Sequence, residues 1–164
     1  MPTSSTINSP VVKPRERDYS FTRFIDAPRE RVFKAWIDPK DLALWWGPKG
    51  FTNPHCELEA RPGGVIRIDM RGPDGVMYLM KGIFHEISEP ARIIFTSSAF
   101  EDEDGEPQLQ VMNTVILIGH MGRTRVSVTA NVVKAATSVS DALTGMEESW
   151  NQSLDRLADL LEKR

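Results

Sequence analysis

The stretch SVSDALTGMEESWNQSLDRLADLLEK, residues 138–163, decides the fold, because it predicts one long amphipathic helix near the end of the chain. Its large apolar residues recur every three or four positions and so share one helical face; they are Leu143, Met146, Trp150, Leu154, Leu157 and Leu161. With a rise of about 1.5 Å per residue the helix would be ~39 Å long and would cross a whole sheet. Gly145 weakens a helix, so we expect either a close approach of another element there or room for a ligand.

The chain before this helix predicts a run of β-strands joined by short turns. The clearest alternation of apolar and polar residues is in VIRIDMR, residues 65–71, and in TRVSVTANVV, residues 124–133. Gly82, in a third segment, predicts a bulge or a close approach of another chain segment. The further strand candidates are DYSFTRFID, HCELEA, VMYLMKGIFHEI, IIFTSSAF and LQVMNTVILIG. Successive strands with short turns predict an antiparallel meander.

Two short helices are expected between the first strand and the others. In DAPRERVFKAWI a helix is predicted to begin at Pro28, because proline suits the first helical position. In DPKDLALWWGP, Asp38 is expected to cap a second helix and Gly47 to end it. The adjacent Trp45 and Trp46 would then lie in its last turn, pointing about 100° apart.

Composition indicates one domain and excludes several functional classes. The chain has 164 residues, of which 40% are hydrophobic and 26% charged, with a formal net charge of −3. Its basic residues are scattered, which argues against nucleic-acid binding, and no apolar run is long enough for membrane insertion. We expect residues 1–16 to be a disordered tail, residues 17–164 to form the domain, and the location to be cytoplasmic. Cys56 stands alone and is expected to be a small buried hydrophobe.

This order of elements predicts an α+β fold of the helix-grip type, with an antiparallel sheet of six to seven strands wrapped around the long C-terminal helix. One helix is too narrow to cover a broad, curved sheet from edge to edge. Part of the concave face is therefore expected either to remain as a cavity or to be filled by the short helices and large side chains.

Three segments carry a family resemblance: FIDAPRERVFKAWIDPKDLALWWGPKGF, RPGGVIRIDMRGPDG and KGIFHEISEPARIIFT. Together they closely resemble the START-like (SRPBCC) superfamily and, within it, the family named after the activator of the heat-shock protein 90 ATPase. The resemblance covers roughly Tyr19 to Leu161. It implies a birch-pollen-allergen-like fold with a pocket between sheet and long helix, and it places the Trp45–Phe51 junction near the cavity mouth. Members of the superfamily bind lipids, sterols, polyketides or hormones, and some catalyse reactions such as cyclisation.

Aromatic and methionine side chains are the expected ligand contacts, because both adapt to apolar molecules. The predicted ligand-binding residues are Trp45, Trp46, Phe51, Met70, Met80, Phe84, Met112, Met146 and Trp150. No catalytic motif, cofactor motif or metal-ligand spacing is found in the sequence. His55, Asp69 and Glu147 are formal candidates for acid–base catalysis, although solvated surface positions are favoured for all three.

The favoured hypothesis is a small soluble protein that holds a hydrophobic or amphipathic molecule in a cavity. One alternative is a small-molecule enzyme such as a cyclase, which would need an ionisable group in the pocket. Another is a co-chaperone-type regulator of a heat-shock ATPase, for which the acidic loop from Glu101 to Glu106 is the obvious charged patch. A homodimer stays open, since no sequence feature points to an interface.

Overall fold

The computed structural model describes residues 18–162, without the side chains of residues 141 and 142. The predicted tail, residues 1–16, lies outside the described residues. The strands are β1 (Asp18–Ile25), β2 (Thr52–Leu58), β3 (Val65–Arg71), β4 (Met77–Ser88), β5 (Arg92–Glu101), β6 (Pro107–His120) and β7 (Arg123–Ala135). The helices are α1 (Arg29–Ile37), α2 (Pro39–Trp45), α3 (Ser140–Thr144) and α4 (Met146–Glu162), with a 3-10 turn at Thr137–Val139.

All seven strands form one antiparallel sheet in the order β1-β7-β6-β5-β4-β3-β2. The strands therefore follow one another as the predicted meander, and β1 closes the series by pairing with β7. In β7 the apolar positions Val126, Val128, Ala130 and Val132 are all buried, as their alternation predicts. This face is concave and packs against the helices, which confirms the helix-grip fold.

The two short helices form where their turn residues predict. Helix α1 begins one residue later than expected, because Pro28 is the capping residue rather than the first helical one. At α2, the Asp38 carboxylate accepts a hydrogen bond from the Lys40 N–H at 2.9 Å, and Pro39 takes the first helical position. Gly47 follows the end of α2 with a φ of +98°, a conformation that glycine adopts without strain.

The predicted long C-terminal helix is interrupted. The chain passes through the 3-10 turn and the short α3 before α4 begins, and the break falls at Gly145. Glycine is a weak helix former and leaves the backbone free to change direction, so the uninterrupted rod of ~39 Å was wrong. Helix α4 has 17 residues, about 25 Å of helix. The predicted apolar stripe is kept across the break, since all six of its residues are buried.

One half of the concave face is filled by the short helices. Trp36 of α1 and Trp45 of α2 meet edge to face with ring centroids 4.6 Å apart. The indole N–H of Trp45 donates to the Ala35 carbonyl at 2.9 Å, so its polar atom is satisfied inside the core. Trp36 also lies 6.4 Å from the Phe95 ring on the sheet. Large side chains therefore fill this half of the concave face.

Gly82 marks a close approach between neighbouring strands. A Cβ atom at this position would lie 2.4 Å from the Thr96 carbonyl oxygen, which is too short for a non-bonded contact. The nearby register shift falls between Phe84 and Glu86, so Gly82 itself lies in regular pairing. Of the two roles predicted for this glycine, the structure supports the close approach.

No helix within residues 18–162 is long and apolar enough to cross a membrane.

Candidate functional site

A cavity of about 610 Å³ lies between the sheet and the N-terminal half of α4. It occupies the half of the concave face that the short helices leave uncovered. Its walls come from the α2–β2 loop, strands β3 to β6 and the first two turns of α4. The site therefore follows from the mismatch between a wide sheet and a single helix.

Aromatic rings line the cavity at two levels. Trp46 and Trp150 form the inner pair, with ring centroids 5.7 Å apart and planes at 81°. Phe51, Tyr78 and Phe100 form an outer group at the mouth, where Tyr78 lies 5.9 Å from Phe51 and 6.4 Å from Phe100. Tyr78 and Phe100 are exposed, so aromatic surface borders the opening of the cavity.

Six of the nine predicted ligand-binding residues line this cavity: Trp46, Phe51, Met70, Met80, Met146 and Trp150. The other three do not. Trp45 is fully buried in the core beneath α1. Phe84 points to the concave face but lies against Phe95 in the plugged half. Met112 lies on the opposite face of β6 from Val111 and Asn113, where its sulfur contacts the Thr96 hydroxyl.

The two adjacent tryptophans point in different directions, as predicted: Trp45, the last residue of α2, packs inward and Trp46, its C-cap residue, faces the cavity. The prediction did not say which of the two packs inward.

Polar side chains of the lining were missed by the sequence reasoning. Asn113 and Ser97 belong to neighbouring strands, and Ser149 and Ser153 to α4; all four line the cavity. A signal was present for Asn113, because it interrupts an otherwise apolar inward series in β6. The serines carried no such signal, since serine is common on exposed helix and strand positions.

Asn113 is buried, with 1% of its surface exposed, and its amide is oriented by backbone carbonyls. Its Nδ2 donates to the carbonyl oxygens of Phe95 and Val111, each at 3.3 Å, and to the Ser97 hydroxyl at 3.1 Å. Its Oδ1 has no hydrogen-bond partner among the described residues. Such an orphaned acceptor is uncommon in a protein interior.

Arg156 of α4 holds the loop that forms one side of the mouth. Its Nη1 donates to the carbonyl oxygens of Trp46, Gly47 and Pro48 at 2.9–3.1 Å, and its Nη2 donates to Leu44 at 3.1 Å. The Leu44 carbonyl lies in the last turn of α2 and the other three follow the end of the helix, where helix carbonyls lack partners of their own. Burial lowers the pKa of the Arg156 guanidinium from its usual value. Through these four hydrogen bonds the guanidinium joins α4 to the end of α2 and the loop that follows it.

The formal acid–base candidates lie outside the cavity. His55 and Glu147 are exposed, and His55 contacts Glu57. Asp69 faces away from the cavity and lies 3.6 Å from Arg67. Glu101 is the only ionisable side chain of the described cavity lining apart from the Tyr78 phenol, and it pairs with Lys81 at 2.9 Å. Among the described side chains of residues 18–162, which leave out residues 141 and 142, no three His, Cys, Asp or Glu lie close enough together to hold a metal ion.

Cys56 lies on the concave side of β2 and packs against the core, as expected of a small hydrophobe. Burial, helped by the nearby Glu57 charge, raises the pKa of its thiol to about 11. A thiol with a raised pKa is a poor nucleophile at neutral pH. It does not line the cavity.

Comparison with protein families gives a match over residues 26–162 to the model described as "Activator of Hsp90 ATPase homolog 1-like protein". The chain belongs to this family. Solved structures of similar proteins have the same fold as this chain. A protein from Chromobacterium violaceum is 26% identical, with a TM-score of 0.76 over 91% of this chain and 99% of that chain. A protein from Arthrobacter aurescens is 28% identical, with a TM-score of 0.79 over 94% of this chain and 91% of that chain. The sequence matches none of the curated proteins with which it was compared.

Proposed function

We propose that this protein binds one hydrophobic or amphipathic small molecule in the cavity between its sheet and α4. The observation that carries the proposal is the cavity itself, which at about 610 Å³ has the size of typical small-molecule sites. The family and its fold are consistent with a small ligand-binding protein.

The lining supports an apolar ligand. Trp46 and Trp150 offer flat aromatic faces, and four methionines (Met70, Met77, Met80 and Met146) surround them. Methionine is flexible and polarizable, so it adjusts to ligands of irregular shape. The exposed rings at the mouth would cover the outer part of a bound molecule.

Binding is favoured over catalysis because the described residues of the interior wall include no acid–base group. The carboxylate of the lining, Glu101, lies at the exposed rim and is paired with Lys81. A cyclase-type enzyme would need an ionisable side chain in contact with the reacting atoms. Glu101→Gln, which removes this carboxylate, should therefore leave ligand affinity unchanged; a loss of turnover on a bound substrate would instead support the enzyme alternative.

The direct test is native mass spectrometry of the purified protein, followed by organic extraction and analysis of the released molecule. We expect a complex of one protein with one neutral or amphipathic small molecule, or saturable uptake of such a molecule from a mixture. A protein that carries no adduct and takes up no hydrophobic molecule at one-to-one stoichiometry would overturn the proposal.

The family description motivates a second candidate, the stimulation of a heat-shock ATPase. It rests on the name of the family rather than on a site in this chain, and the charged patch that the sequence offers for it is the acidic loop from Glu101 to Glu106. An ATPase assay with saturating protein decides it, because absence of stimulation removes this candidate and leaves the binding proposal untouched.

A further inference from the structure

We propose that Phe100 is a ligand-contact residue, and that its ring covers the outer end of an elongated apolar molecule whose inner end lies against Trp46 and Trp150. The inference rests on the proposed binding function and names the shape of ligand that the site selects. Phe100 was not among the residues predicted from the sequence, because its backbone conformation rather than its residue type distinguishes it.

Phe100 faces the cavity against the alternation of its strand. Its neighbour Ala99 pairs with Met80 on one side and Leu109 on the other, and both partners are buried on the concave face. Consecutive residues of a strand point to opposite faces, so regular alternation would place Phe100 on the convex face. Instead it lines the cavity, with its ring centroid 6.4 Å from that of Tyr78.

The backbone of Phe100 accounts for this departure, because it is left-handed, with a φ of +59°. This conformation is disfavoured for a bulky residue, whose Cβ atom approaches the following carbonyl oxygen. The register between β5 and β6 is the same on both sides of Phe100, with Ala99 opposite Leu109 and Glu101 opposite Pro107, so no inserted residue imposes the change. A disfavoured backbone of this kind inside a strand points to a functional constraint on the side chain.

Among the described residues, Met121 is the other non-glycine residue with a positive φ, and it has an ordinary explanation. Met121, at +53°, precedes Gly122, at +80°, in the two-residue turn between β6 and β7. Tight hairpin turns of this type need a positive φ at both central positions. Phe100 lies within β5, before the turn to β6, so this explanation does not apply to it.

The free protein buries Phe100 only in part. With 40% of the residue exposed, packing within the chain offsets only part of the unfavourable conformation. Together with Phe51 and Tyr78, the ring presents apolar surface at the opening of the cavity. A bound molecule that reaches the opening would cover this surface and supply an aromatic contact that the free protein lacks.

The two levels of rings favour an elongated ligand. Trp46 and Trp150 lie at the inner level, and Phe100 lies at the opening. A molecule held by the inner pair alone leaves Phe100 exposed, whereas a rod that extends from the inner pair to the opening contacts both levels. The cavity, at about 610 Å³, has room for such a rod.

The experiment compares a short and a long apolar probe, para-phenylphenol and 1,6-diphenylhexatriene, whose two phenyl rings are separated by a triene. Asparagine tolerates the left-handed conformation, so Phe100→Asn removes the ring and keeps the backbone. We expect the affinity of this variant for diphenylhexatriene to fall about tenfold, and its affinity for para-phenylphenol to stay within about twofold of the wild type. Fluorescence titration measures the first affinity, and isothermal titration measures the second.

Two control variants separate the ring from the backbone. Phe100→Tyr keeps an aromatic ring at the opening and should keep wild-type affinity for both probes. Met121→Asn introduces the same residue into the same conformation at the other end of β6, outside the cavity lining, and should also bind both probes as the wild type does.

If Phe100→Asn does not fold, the wild-type complex decides. Nuclear Overhauser contacts should join the ring protons of Phe100 to bound diphenylhexatriene, and their absence would overturn the inference.

The outcomes separate the two proposals. Wild-type affinity of Phe100→Asn for diphenylhexatriene, or an equal loss for both probes, would overturn the role of Phe100 and leave the cavity as a binding site. Binding of para-phenylphenol but not of diphenylhexatriene to the wild type would do the same. If neither probe binds to the wild type, this inference fails together with the class of ligand proposed for the cavity.

Discussion

Trp45 and Trp46 are adjacent in sequence, yet replacing each by alanine should have different consequences. Trp45 is fully buried, its ring centroid lies 4.6 Å from that of Trp36, and its indole N–H donates to the Ala35 carbonyl. A buried tryptophan removes on the order of 200 Å² from water, and its truncation typically costs about 3–5 kcal/mol. With the lost hydrogen bond we expect Trp45→Ala to lower the free energy of unfolding by about 4–5 kcal/mol.

Trp46→Ala should cost less, about 2 kcal/mol, because the space it leaves joins a cavity that already exists and opens at its mouth. Its ring contacts are with Trp45, Phe95 and Trp150, so part of its packing is still lost. Ligand affinity should fall about tenfold in Trp46→Ala, since one of the two inner rings is gone. Trp45→Ala should leave affinity within about twofold of the wild type under conditions where the variant is folded.

The assay for stability is urea unfolding followed by far-ultraviolet circular dichroism, because tryptophan fluorescence would change with either substitution. Affinity is measured by isothermal titration with para-phenylphenol. The reasoning is refuted if the two variants lose equal stability and Trp46→Ala keeps wild-type affinity, because Trp46 would then be ordinary core.

Three further predictions concern the supports of the site. Arg156→Met should lower the free energy of unfolding by about 2 kcal/mol, because four carbonyl contacts are lost. It should also speed amide exchange of Lys49, which lies in the same loop and whose N–H donates to Gln152 Oε1 of α4 at 2.9 Å; unchanged exchange would show that the Arg156 contacts are dispensable. Gly82→Ala should lower the melting temperature clearly, since its Cβ would overlap the Thr96 carbonyl; an unaltered transition would contradict that contact. Burial raises the pKa of the Cys56 thiol from 9.0 to about 11, so this thiol should resist thiol reagents at about pH 8; rapid labelling of the folded protein at that pH would contradict the raised pKa. The free energy of unfolding should fall as pH rises from about 9 to about 11, because the thiol then ionises in the unfolded chain before it ionises in the folded one.

Patterns that depend on local geometry were predictable from the sequence. Alternation in β3 and β7 gave the inward residues, and the Asp38–Pro39 pair gave the start of α2. Both patterns depend only on residues a few positions apart, so they can be recognised without knowing how distant parts of the chain pack. The stripe on the C-terminal helix was predictable for the same reason, although the break at Gly145 was not.

What the sequence could not predict depends on contacts between distant elements. Trp36 and Trp45 fill one half of the concave face of the sheet. Phe84 lies in that filled half and is core, whereas Met80 lies nearer the open half and borders the cavity. Met112 was chosen for its residue type, although its position next to Asn113 in β6 places it on the outer face. The free acceptor of Asn113 becomes visible only when the carbonyls of two strands are in place.

The measurement that tests the central claim most directly is ligand binding to a protein whose cavity has been filled. Ser149 is half-buried on the cavity face of α4, and Asn151 is exposed on the same helix. Calorimetry should show one-to-one binding of para-phenylphenol to the wild type and to Asn151→Phe, and a loss of more than about a hundredfold in Ser149→Phe without a loss of thermal stability. Equal binding by all three proteins would place the ligand elsewhere and contradict the account.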